Sequence, residues 1–136
     1  MLIVTLALVG PSCRQPFAPA GAVRVEPPAV YATLWDSIAR CVPTHGDFSR
    51  VVWLAVESGD GITFSSPTEP YAIGLWSSPH SIYLSRLVLD SLAQSRTYGS
   101  DVVGWQHRVV MHEMLHDLLQ DGGHPPDFAR CGVLHP

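Results

Sequence analysis

Residues 112–116 read His-Glu-Met-Leu-His: two histidines four apart, with a glutamate directly after the first, inside a long segment of helical apolar spacing. On a helix, positions i and i+4 stand one turn apart on one face, so His112 and His116 present both imidazoles to a single point. That separation suits two nitrogens holding one zinc ion. Glu113 leaves the helix at a neighbouring angle, near enough to take a proton from a water the ion activates without becoming a ligand. A chain with this pattern has to pack a helix bearing three polar side chains against a core, and a metal offsets the cost of burying them.

Val103, Val110, Met114 and Leu118 form an apolar row along the segment that begins at Asp101. Ser100 is placed to cap its start. Asp121-Gly122-Gly123 should end it, a glycine there being suited to the left-handed conformation that closes helices. The spacing predicts a helix of about twenty residues with the motif in its last turns.

A catalytic zinc takes three protein ligands and keeps one position for water. His124 leads as the third ligand, because the Gly122-Gly123 turn lets the chain swing back under the metal while Pro125-Pro126 stiffens the segment just beyond it. Asp127 and His135, in the same short tail, are the runners-up. Asp117 and Asp121 are candidate acceptors for the outer N–H of a ligand histidine. Arg108 falls on the zinc face one turn earlier, placed to hold a substrate carboxylate or to pair with a core carboxylate, the second being favoured. His107, turned about 140° from His112, is assigned to packing or surface, and His45 and His80 to surface loops.

The HExxH segment in this setting resembles the active-site helix of the zincin metallopeptidases. The resemblance implies Zn2+ held by His112, His116 and a third residue, Glu113 as general base, and a peptide or protein substrate. In the metzincin branch the pattern is HExxHxxGxxH, and His124 looks like its third histidine displaced by two residues. No Met follows His124 to make the Met-turn that underlies the zinc in that branch. The thermolysin-like branch needs a later glutamate on a second helix, and none occurs after Glu113.

Upstream, Ala29–Arg40 has helical spacing with Val30, Leu34, Trp35 and Ile38 on one side. Residues 51–56 read as a central strand, and 62–64, 71–76 and 81–84 as further short strands between Pro and Gly turns. Residues 87–95 form a short helix or an ordered loop before the motif helix. This order resembles the zincin amino-terminal lobe. The expected fold is α+β, a small single-lobe zincin-like domain with a twisted, mostly short-stranded sheet, a backing helix and the long HExxH helix. In that lobe the edge strand above the cleft holds an extended peptide by main-chain hydrogen bonds. Ser81-Ile82-Tyr83-Leu84 is assigned that position, with Tyr83 as a candidate oxyanion or substrate contact.

At 136 residues the chain is one domain. Its formal charge of −4, with all eight basic residues Arg and scattered, argues against nucleic-acid binding. The apolar run Met1–Gly10 has the length of a signal sequence and is too short to cross a bilayer. Residues 1–22 are therefore read as a signal peptide or lipoprotein leader, 23–28 as a linker and 29–136 as the domain, exported to the cell envelope or secreted. Cys13 resembles the lipid-bearing cysteine of bacterial lipoproteins and is the one expected membrane attachment, while Ala18-Pro19-Ala20 and Ala20-Gly21-Ala22 offer cleavage instead. Export leaves Cys41 and Cys131 as a disulfide pair, tying the segment that carries His124 to the body of the domain. A rival reading is a non-catalytic, zinc-stabilised envelope lipoprotein that binds a partner, its fourth metal position closed by a protein group. Nothing in the sequence sets an oligomeric state.

Overall fold

The computed structural model describes residues 21–56, 73–89 and 102–134. The chain runs β1 (Ala22–Arg24), α1 (Val30–Ala39), a 3-10 turn (Phe48–Arg50), β2 (Val52–Val56), β3 (Gly74–Ser77), β4 (Ser81–Ser85), α2 (Arg86–Leu89), α3 (Val102–Leu119) and α4 (Asp127–Arg130). It is a small α+β domain. The four strands make one mixed sheet in the order β1-β2-β4-β3, with β2 and β4 parallel and the outer two pairings antiparallel.

Alternation along the strands separates two faces. Trp53, Ile82 and Leu84 point into the main core with Tyr31, Leu34, Trp35 and Ile38 of α1 and Val109, Val110, Met114, Leu115 and Leu118 of α3. Val56 and Tyr83 form a small second cluster on the other face, with Ala22, Leu54 and Leu75 around it. Of the apolar row expected on the motif helix, Val110, Met114 and Leu118 are buried as the spacing requires. In α1 the buried face is Tyr31, Leu34, Trp35 and Ile38, with Val30 42% exposed. Offsets of 0, 3, 4 and 7 are one helical stripe, which starts at Tyr31 and leaves Val30 outside it.

Three expectations are corrected. Residues 22–24, placed by composition in the leader and linker, form a strand registered on β2 from Ala22 opposite Val56 to Arg24 opposite Leu54. The strand bearing Tyr83 is internal, and the edge of the described sheet on the α3 side is β3. The left-handed residue that ends α3 is Gln120, at φ 52°, rather than either following glycine. A non-glycine residue in that conformation costs about 1–2 kcal/mol. Gln120 offsets this through its own amide, which donates to the carbonyls of Pro79 at 2.8 Å and Asp117 at 2.6 Å.

The disulfide between Cys41 and Cys131 is formed, linking the end of α1 to the end of α4 across 90 residues. No helix among the described residues is long and apolar enough to cross a membrane. Cys13, His135, Ser100 and the strand expected at 62–64 lie outside the described residues, as do most of 87–95 and the start of 71–76.

Candidate metal centre

His112, Glu113 and His116 lie on the buried side of α3, 8%, 6% and 6% exposed. After Gln120 the chain turns at Gly122 and Gly123, with the Gly123 N–H donating to the Asp121 carboxylate at 2.7 Å. That turn returns His124 to the helix. Its Nε2 stands 3.1 Å from Nε2 of His112, and Nε2 of His116 stands 3.2 Å from the same atom. Among the described residues these three are the one convergent group of potential ligands, with His112 and His116 buried and His124 exposed.

The outer nitrogens decide what the inner ones can do. Nδ1 of His112 donates to the Val133 carbonyl at 2.6 Å, and Nδ1 of His116 donates to the Asp121 carbonyl at 2.7 Å. A neutral imidazole carries one N–H, so with Nδ1 donating, the inward Nε2 of a neutral ring is a bare lone pair. Burial pushes the His116 imidazole down to about 4, against the pull of the Asp121 carbonyl and with the His112 and His124 rings adding to the fall. Two lone pairs facing each other at 3.2 Å repel unless a cation stands between them. Ligand nitrogens at a metal–nitrogen distance of about 2.0–2.1 Å in a tetrahedral site are roughly 3.3 Å apart. Two of the three nitrogen pairs, at 3.1 and 3.2 Å, stand near that spacing, so the group could hold a metal ion.

The outer-shell roles differ from the sequence expectation. Asp121 serves His116 through its main-chain carbonyl, not its carboxylate. Asp117 touches no ligand ring with a hydrogen bond. Its buried carboxylate accepts from Trp76 Nε1 at 2.9 Å and sits 3.2 Å from His80 Nδ1. His80 is therefore no plain surface residue, whereas His45 is exposed and His107 half-buried. Asp127 opens α4 and pairs with Arg130 instead of joining the ligands. Tyr83 packs on the far face of the sheet and is not brought to the cluster.

Two aromatic residues that the motif reading passed over border the site. Trp76 lies nearly parallel to His116, with ring centroids 6.2 Å apart and planes 14° from each other. Phe128 meets all three imidazoles from beneath, its centroid 4.9 Å from His112, 4.5 Å from His116 and 5.0 Å from His124. Strand alternation from Gly74 could have placed Trp76 inward. Phe128, the one aromatic residue after His124, had no periodic signal. No protein-family model, curated protein or solved structure matches the chain.

Proposed function

We propose that this chain is an exported zinc-dependent endopeptidase with Glu113 as its general base. The reading is carried by the convergence of three histidines beside a buried glutamate of the same helix. A zinc ion held by His112, His116 and His124 supplies Lewis acidity, polarising a carbonyl oxygen and lowering the pKa of water. Glu113 removes a proton from the attacking water and returns it to the departing amine. Its side chain lies against Gly74 of β3, where the absence of a Cβ leaves it room.

β3 ends the described sheet, and an extended peptide adding to its outer edge by main-chain hydrogen bonds would be carried past Glu113. The single-lobe, zincin-like architecture belongs to the same proposal. The exposure of His124 supports an accessible metal over a sealed structural one. The Cys41–Cys131 bridge supports an oxidising compartment, with attachment at Cys13 or cleavage near Ala22 as the two routes of export.

Protein purified without added zinc should contain the metal near one equivalent, and Glu113→Gln should keep it while losing hydrolysis of a substrate found by peptide-library screening. Wild-type turnover in Glu113→Gln would remove the enzymatic assignment and leave the zinc-stabilised binding module. Zinc near zero, unrestored by adding the metal, would remove both.

A further inference from the structure

The tail beyond His124 does more than close the chain. Helix α4 has one turn, and it ends with Gly132 N–H bonding to the Ala129 carbonyl at 3.1 Å and Val133 N–H to the Phe128 carbonyl at 3.0 Å. This pair of bonds, six-to-one and five-to-two around a left-handed Gly132 at φ 72°, is a Schellman closure. It joins the main chain of Val133 to that of Phe128, and both side chains are buried, at 1% and 0% exposure. Its two products both face the metal centre: the Phe128 ring under the three imidazoles, and the Val133 carbonyl on Nδ1 of His112. Between them sits Cys131, bridged to Cys41.

Resting on the metal-centre reading, we propose that the segment 127–133 is the floor of the site. Phe128 and the Val133 carbonyl act as positioning groups that hold the three imidazoles in a metal-ready arrangement, and the Cys41–Cys131 bridge keeps that floor in place. Phe128 suits the role because its ring restrains the histidines sterically and offers no acceptor that competes for a metal or a proton. The Val133 carbonyl fixes which nitrogen of His112 carries the proton, and so which one can bind. Outer groups of this kind change metal affinity by about 10–100-fold when removed. The bridge is joined to the site through α4, whose Phe128 lies against the three imidazoles.

The test is zinc affinity by chelator competition, with the visible spectrum of the cobalt-substituted protein and the unfolding midpoint of the metal-free protein measured beside it. Phe128→Ala and the double substitution Cys41→Ser with Cys131→Ser should each raise the zinc Kd at least tenfold and alter the cobalt bands. Phe128→Leu, which restores apolar volume, should recover most of the affinity. Ile38→Ala, a buried position on α1, should lower the midpoint and leave Kd unchanged. Wild-type Kd and cobalt spectrum in Phe128→Ala or in the cysteine variant would overturn the floor, as would an equal loss of affinity in Ile38→Ala. Should Phe128→Ala not fold, the cysteine variant decides. An unsubstituted chain that takes up no zinc would instead sink the metal-centre reading itself, a failure distinct from zinc binding that ignores the floor.

Discussion

Gly74 on β3 lies directly against Glu113 on α3: a Cβ added at Gly74 would stand 2.8 Å from both Cγ and Oε1 of the glutamate. Real Cβ atoms do not approach that closely, so strand and carboxylate share a space that only glycine leaves open.

Gly74→Ala should therefore push the Glu113 carboxylate aside without touching a ligand. Zinc content should stay near one equivalent while kcat/KM falls at least tenfold, a loss on the scale of a misplaced proton acceptor. Unchanged kcat/KM in a zinc-loaded Gly74→Ala protein would show that Glu113 does not need its present position.

Trp76→Phe keeps a ring beside His116 but removes the N–H that Asp117 accepts at 2.9 Å. Asp117 is 4% exposed, and stripping a partner from a buried carboxylate costs about 1–3 kcal/mol. Urea unfolding should report that loss, and the double-mutant cycle of Trp76→Phe with Asp117→Asn should be strongly non-additive. Simple additivity would mean the two groups are not coupled.

Opening the Cys41–Cys131 bridge frees a long loop in the unfolded chain. With both cysteines changed to serine, the metal-free protein should lose about 2–4 kcal/mol by equilibrium denaturation. A loss below about 1 kcal/mol would mean that the core holds the tail without help.

His116 contributes a pH dependence to the metal-free protein. Its folded pKa is about 4, below the ordinary value of 6.5, so the unfolded chain binds the proton more readily. Stability from this group is complete above pH 6.5 and is lost as pH falls towards about 4. In the presence of a chelator the urea midpoint should drop between pH 7 and 4.5. A midpoint that rises over this window would show His116 to be protonated in the fold.

The motif and its helix were legible because a four-residue spacing means one thing on a helix and because Val110, Met114 and Leu118 repeat with its period. His124 was legible as well, since two glycines after a helix allow a return. The buried stripe of α1 was misplaced by one residue at Val30, whose apolar character competes with that of Tyr31 until packing chooses between them. The reach of His80 to Asp117 was not legible, because no local pattern shows that a turn after β3 meets a residue 37 positions on.

The linear order of residues by itself determined that this chain carries two imidazoles and a carboxylate on one buried helix, followed at once by a flexible bend and a third histidine. Covalent spacing and helix periodicity are properties of a few consecutive residues, so they need no fold to be known. Only the tertiary structure decided that carbonyls of Val133 and Asp121 orient the rings, that Phe128 lies under them, and that Gly74 of β3 meets Glu113. Those relations join residues distant in the chain or depend on where a carbonyl points, and they arise only when the sheet, α1 and α3 bury their apolar faces together.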